Sequence, residues 1–262
     1  MRYIEKLSRR IAQTGSRLCV GLDPTGDDAT VARRLREVIA ESAPFAAAFK
    51  PNLAFFLSRE NGVALLQETV RSIPADIPVI LDGKFGDIAN TAEQYARFAY
   101  DIVGADGVTV NPYMGDDTIR PFARPGKLVF SLAKTSNKPQ HGLQDAAMTR
   151  GGSISDWAAR LARLVDEEMP ESTVGLVVGA TEPATVAKLR AACPDQWFLV
   201  PGIGVQGGDL SATLQAGLRA DGSGLLINSS RGIWQAQDAG AEARKLMEQI
   251  NEHRTVKHPA HA

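Results

Sequence analysis

Short apolar runs alternate along this chain with longer stretches in which apolar residues recur every three or four positions. The runs at 18–22, 46–50, 78–82, 107–111, 128–133, 173–178, 197–201 and 224–228 are mostly continuous, the pattern of strands covered on both faces. Between them helical periodicity predicts helices over 29–42, 58–72, 92–103, 116–122, 154–168, 183–192 and 208–217. An amphipathic helix over 3–13 opens the chain and one over 238–252 closes it. Strands regularly alternating with helices predict an α/β protein, a single-domain (β/α)8 barrel over residues 1–253. A doubly wound sheet is the alternative, because strand order is not written in a sequence. Residues 254–262 lack apolar periodicity and read as a flexible tail. The one long connection, 134–152, reads as a candidate lid. Ala105-Asp106-Gly107 and Ala220-Asp221-Gly222 echo one another ahead of the fourth and eighth strands, as repeated half-barrels would.

Composition narrows the function classes. With 262 residues, 44% apolar, 23% charged and 24 glycines, the chain suits a globular domain with many tight turns. A net charge of −1 argues against a nucleic-acid surface, which would be basic. No apolar run approaches the ~18 residues of a membrane span. Charges at Arg2, Glu5 and Lys6 interrupt any signal-peptide core, so a cytoplasmic location is expected. Cys19 and Cys193 have neither metal nor redox spacing, and His253, His258 and His261 lie in the tail region, leaving no histidine metal cluster in the body.

The candidate chemistry gathers where strands end. Val79-Ile80-Leu81 runs into Asp82-Gly83-Lys84-Phe85-Gly86-Asp87, and side chains two apart on a strand share a face, so Asp82 and Lys84 point the same way. Thr91-Ala92-Glu93-Gln94 reads as a capping box that starts a helix near Ala92 and leaves Asp87 in the loop. The ordinary reading is a surface ion pair and a helix cap. A strand buried on both faces weakens it, since charges at its end are costly unless something needs them. Asp23, Lys50 and Asn111 end the first, second and fourth strands in the same way. In a barrel those ends form one rim, the face that holds active sites. After the seventh and eighth strands come Pro201-Gly202-Ile203-Gly204-Val205-Gln206-Gly207-Gly208 and Asn228-Ser229-Ser230-Arg231-Gly232. Loops at those positions commonly grip phosphate. Gly202, Gly204 and Gly207 also spell a dinucleotide fingerprint, but late in the chain and with Asp221 only 14 residues past Gly207, where the motif expects an acidic residue ~20 positions on.

Asp82-Gly83-Lys84-Phe85-Gly86-Asp87-Ile88-Ala89-Asn90-Thr91 resembles the signature of the orotidine 5′-monophosphate decarboxylases. Gly21-Leu22-Asp23-Pro24, Phe49-Lys50-Pro51, Val110-Asn111-Pro112-Tyr113, Lys134-Thr135-Ser136-Asn137, the 201–208 stretch and Ser230-Arg231-Gly232 extend the resemblance in order. The Lys-Thr-Ser-Asn stretch is similar to the longer bacterial branch. The resemblance implies a (β/α)8 TIM barrel, a homodimer with shared active sites, no cofactor and no metal, and the last step of pyrimidine nucleotide synthesis, UMP formation. It implies that Lys50, Asp82, Lys84 and Asp87 surround the scissile carboxylate, with Asp87 from the partner and Lys84 protonating C6. Asp23 matches a ribose-binding position, with Ile88 and Thr91 reaching across the dimer. Ser136 matches a pyrimidine contact, and Pro201, Gln206, Ser230 and Arg231 fall in the phosphate-binding stretches. Metal-dependent sugar-phosphate decarboxylases or aldolases of the same superfamily share the Asp-x-Lys-x-x-Asp core and are the alternative; a catalytically dead nucleotide-binding barrel is a third reading.

Overall fold

The computed structural model describes residues 3–149, 151–203 and 209–255. Its strands are β1 Leu18–Leu22, β2 Ala48–Pro51, β3 Ile80–Phe85, β4 Gly107–Val110, β5 Leu128–Lys134, β6 Thr173–Val178, β7 Phe198–Val200 and β8 Leu225–Ser229. They are hydrogen-bonded in the order β2-β1-β8-β7-β6-β5-β4-β3, and every pairing is parallel. The seam between β2 and β3 is closed by parallel bridges, Phe49 to Val79 and Asn52 to Asp82. The strands therefore make a closed (β/α)8 barrel, and the doubly wound alternative falls.

Alternate residues of these strands divide between two cores. Cys19, Ala48, Ile80, Phe130, Leu199 and Leu226 pack with one another inside the barrel. Their neighbours Val20, Phe49, Leu81, Val129, Val200 and Ile227 belong to the larger core between strands and helices. The opening helix α1 (Tyr3–Thr14) adds the fully buried Leu7 to the inner cluster, with Ile4 and Ile11 beside it. The Lys6 ammonium holds Asp106, just ahead of β4, at 2.7 Å. α1 thus plugs the end where strands begin, and the cavity at the opposite rim is left for chemistry.

The remaining helices are α2 Asp28–Ser42, α3 Leu53–Leu57, α4 Gly62–Ser72, α5 Ala89–Arg97, α6 Ile154–Glu168, α7 Pro183–Ala192, α8 Leu210–Gly217, α9 Arg231–Gln235 and α10 Ala239–Thr255. Several differ from the sequence expectation for local reasons. α5 starts at Ala89, with Ile88 at its cap position and no side-chain cap, so the Thr91–Gln94 capping box does not form. The Asp87 and Asn90 side chains accept the N–H groups of Ile88 and Thr91 instead. The helix expected at 116–122 is two short 3₁₀ turns, the second containing Pro121, which cannot donate a backbone hydrogen bond. The 58–72 pattern begins only at Gly62, behind the short α3 capped by the Asn52 side chain. α9 is too short for periodicity to reveal. α10 runs to Thr255, into the segment expected as tail, and 256–262 lie outside the described residues.

Arg190 ties the end of α7 to the end of α8 and to the residues leading into β7 and β8. Its buried guanidinium donates to the carbonyls of Gly217, Gln196, Cys193 and Gly224 at 2.7–3.0 Å, and lies 3.7 Å from the Phe198 ring centroid. Burial pulls its pKa down to about 10, still cationic at neutral pH. Replacing it leaves several carbonyls unsatisfied at ~1–3 kcal/mol each. Arg190→Met should therefore lower the unfolding free energy by at least about 3 kcal/mol in urea titrations. A loss under about 1 kcal/mol would mean water replaces the guanidinium without cost.

Candidate active site

The inward-facing positions of three neighbouring strands deliver the charged cluster. Lys50 on β2 and Asp82 on β3 face each other, Nζ to Oδ2 at 2.6 Å, with side chains only 5% and 8% exposed. Lys84 reaches the other oxygen of the same carboxylate, Nζ to Oδ1 at 2.7 Å, and is 49% exposed. Thr109 on β4 donates its hydroxyl to Asp82 Oδ1 at 2.8 Å and accepts the Lys84 N–H at 2.9 Å. Lys84 sits at φ 45°, the one positive φ among described non-glycine residues, where the β3–β4 register shifts. Such a conformation costs on the order of 1–3 kcal/mol and persists only when its surroundings hold it. Here the Thr109 and Asp82 bonds do so, and they aim the Lys84 ammonium into the cavity.

Electrostatics sharpen the roles. Burial works to raise the Asp82 carboxyl, but Lys50 and Lys84 outweigh it and hold the group well below the usual carboxylate range. Burial works to lower the Lys50 pKa, and Asp82 and Asp23 more than reverse this, so Lys50 stays cationic. Asp23 goes the other way: burial, with the Asp82 charge, raises its carboxyl despite Lys50. Its Oδ1 is buried with no protein partner, an acceptor waiting for a donor. Below these groups Cys19 is fully buried and its thiol is pushed up to about 12, which keeps it inert.

A cavity of about 390 Å³ opens above this cluster. Asp23, Lys50, Asp82 and Lys84 line it, and so do Ser136, Pro201, Ser230 and Arg231 from the later loops. Gly21 matters to this closeness: any Cβ there would collide with the Ser230 hydroxyl. Asp87, Ile88 and Thr91 do not line the cavity of the single chain. Asp87 accepts from its neighbour Ile88 N–H at 2.8 Å and makes no ion pair with Lys84, while Ile88 is 54% exposed. Asn111 is exposed and caps the turn Pro112–Met114. Gln206 lies outside the described residues.

Thr109, Asn52 and Asn228 also line the cavity and were not singled out from the sequence. Strand alternation carries the signal for Thr109, two positions before Asn111. His141 is a further surprise. Its ring nitrogens face Asp145 at 2.6 Å and Glu182 at 3.3 Å, yet the buried Lys134 ammonium already pairs with both carboxylates.

A closed parallel barrel carrying buried, oppositely charged side chains around a cavity at the strand C-termini has the architecture of a (β/α)8-barrel enzyme. Residues 16–246 match the family described as "Orotidine 5'-phosphate decarboxylase / HUMPS family", and the chain belongs to it. The orotidine 5′-phosphate decarboxylase of Thermomicrobium roseum is 40% identical over 269 residues, covering 95% of each chain. Leishmania donovani OMP decarboxylase superposes with a TM-score of 0.90 at 44% identity, over 98% of this chain and 100% of that one. Leishmania donovani UMP synthase gives 0.91 at 46% identity; 99% of this chain is covered, but only 58% of that longer protein.

The charge cluster has a pH signature. The folded pKa of Asp82 lies below its unfolded value, so its contribution is complete above about pH 4 and is lost as pH falls toward the folded pKa. The stability gap between wild type and Asp82→Asn should be constant from about pH 7 to 5 and shrink by up to ~1.4 kcal/mol per pH unit below about pH 4. Urea titrations across that range measure it. A gap that widens on acidification would mean Asp82 is not held as a carboxylate.

Proposed function

We propose that this chain converts orotidine 5′-monophosphate to UMP and CO2 without cofactor or metal, the last step of de novo pyrimidine nucleotide synthesis, in the cytoplasm. The observation that carries the reading is the Lys50–Asp82–Lys84 array, closed by Thr109, on one wall of the cavity. Losing CO2 from C6 of the pyrimidine leaves a carbanion in the ring plane, where π electrons do not delocalise it. Without an electron sink the protein must stabilise that charge electrostatically. The Lys84 ammonium faces C6, stabilises the carbanion and then donates the proton. Asp82 holds Lys84 charged and aimed, and its own charge repels the substrate carboxylate until CO2 departs. Lys50 keeps Asp82 ionised. At ~4 Å and an effective dielectric near 20, each such pair is worth about 4 kcal/mol, well short of the full barrier reduction. Binding of the remote 5′-phosphate by Arg231, Ser230 and the 201–208 loop supplies more. Asp23 accepts from ribose and Ser136 contacts the base.

The working unit in this reading is a homodimer with shared sites. The turn carrying Asp87, Ile88 and Thr91 lies outside its own cavity, and exposed apolar side chains stand on it and on the turn after β4: Ile88 at 54%, Tyr113 at 69%, Met114 at 53%. Such a patch beside a site marks a protein interface. Asp87 then completes the partner's charge array.

Wild-type enzyme mixed with orotidine 5′-monophosphate and EDTA should lose substrate ultraviolet absorbance at full rate. Lys84→Ala should be slower by at least ~10⁴-fold, more than a single general acid usually supplies. Abolition by EDTA would favour the metal-dependent sugar-phosphate chemistry of the same superfamily, and a mutant within tenfold of wild type would move the proton donor elsewhere.

Dimer sharing is tested separately. Lys84→Ala and Asp87→Ala homodimers should each be nearly inactive. After unfolding and refolding an equal mixture, half the dimers are hybrids, in which one site carries both defects and the other none. About a quarter of all sites should regain wild-type activity. With hybrids shown to form, no recovery would put Asp87 in its own chain's site.

A further inference from the structure

We infer that Asp145 and His141 are positioning residues, forming with Lys134 and Glu182 a strap that fixes Ser136 at the cavity wall; this rests on the substrate reading above. The connection from β5 to α6 is long and mostly irregular, and it read from sequence as a candidate lid. In the described residues its first part is tied down at several points. Lys134, at the end of β5, has a side chain only 1% exposed, and a buried ammonium requires a partner. Asp145 comes back along the connection to provide one, and Glu182, from the loop ahead of α7, stands at 3.6 Å. His141 links the same carboxylates, Nδ1 to Asp145 at 2.6 Å and Nε2 to Glu182 at 3.3 Å. The loops after β5 and β6 are thereby joined.

The next residue along repeats the device. Gln144 Oε1 accepts the Thr135 N–H at 2.9 Å, and its Nε2 donates to the Thr135 hydroxyl at 2.8 Å. The Gln144 carbonyl in turn accepts from Ser155, at 3.0 Å from the N–H and 2.7 Å from the hydroxyl, fixing the strap to the start of α6. Adjacent residues 144 and 145 thus grip adjacent residues 135 and 134, immediately before Ser136. On the other side Gly179 forms a floor: its N–H donates to the Lys134 carbonyl at 2.8 Å, and a Cβ there would lie 2.9 Å from Ser136 Cα and N. Ser136 is held between strap and floor without belonging to any regular element. His141, Asp145 and Glu182 bring potential ligand atoms within 4.8 Å of one another, but the Lys134 ammonium already pairs with both carboxylates.

The test combines kinetics on orotidine 5′-monophosphate with hydrogen–deuterium exchange. Asp145→Asn should lower kcat/KM at least tenfold and speed amide exchange over 134–137. Adding it to Ser136→Ala should lower kcat/KM no more than about twofold further, because both changes act through the same contact. His141→Ala, at a 60% exposed side chain, should show the same non-additivity with a smaller loss and serves if Asp145→Asn does not fold. Exchange over 134–137 unchanged in the folded variant would overturn the strap whatever the substrate. Losses that multiply in the double variant would overturn its action through Ser136. Zn²⁺ retained by wild type after desalting and lost in His141→Ala would replace it with a metal site. Absence of wild-type turnover would count against the substrate reading alone, and the strap would then be judged by exchange.

Discussion

The Asp82 carboxylate accepts from Lys50 on one oxygen and from Lys84 and Thr109 on the other, and the rest of the site follows from keeping that group charged and dry. Taking a carboxylate out of water costs several kcal/mol, repaid only when its lone pairs are met by well-placed donors. Three strands have to meet in register to provide them. Lys50 must face inward on β2, Asp82 and Lys84 on β3 and Thr109 on β4, and the bridge between Asn52 and Asp82 closes the seam at that height. The strained Lys84 backbone is one cost of this convergence, and its half-exposed ammonium is the gain, a charge held rigidly at the edge of a cavity.

The barrel supplies what this cluster needs by separating stability from chemistry. The inner core below is apolar and sealed by α1, so the low end of the barrel makes no functional demand. Above it the inward positions turn polar: Gly21 then Asp23, Lys50 then Asn52, Asp82 then Lys84. Opposed pKa displacements mark the division of labour. Asp82 is held down by two cations, while Asp23, less well compensated, is pushed up and keeps an unsatisfied oxygen. Groups with similar sequence surroundings thus end in different electrostatic states because burial and neighbours differ. The later loops face the same cavity from the other side and are shaped by close approach, as Gly21 against Ser230 and Gly179 against Ser136 demonstrate.

The sequence by itself determined the strands, because burial on both faces demands continuous apolar runs, and all eight expected runs overlap observed strands. Alternation and the Asp-x-Lys spacing also put Asp82 and Lys84 on one face, and the strand-end residues Asp23 and Lys50 line the same cavity. Pro201, Ser230 and Arg231 join them from the later loops, with Ser136, which only the family resemblance pointed to; Asn111, expected at the same rim, does not line it. Helix ends were less legible. At Asp87–Thr91 and 116–122, single side-chain bonds and one proline decided the backbone locally, against the periodic signal. What only the tertiary structure decided is contact between distant segments. Strand order, the Thr109 bond to Asp82, the His141–Asp145–Glu182 grouping and the outward placement of Asp87 depend on how loops from separate strands meet around the barrel. Those meetings are fixed by packing and charge balance across the ring of strands, and such non-local terms leave no periodic trace along the chain.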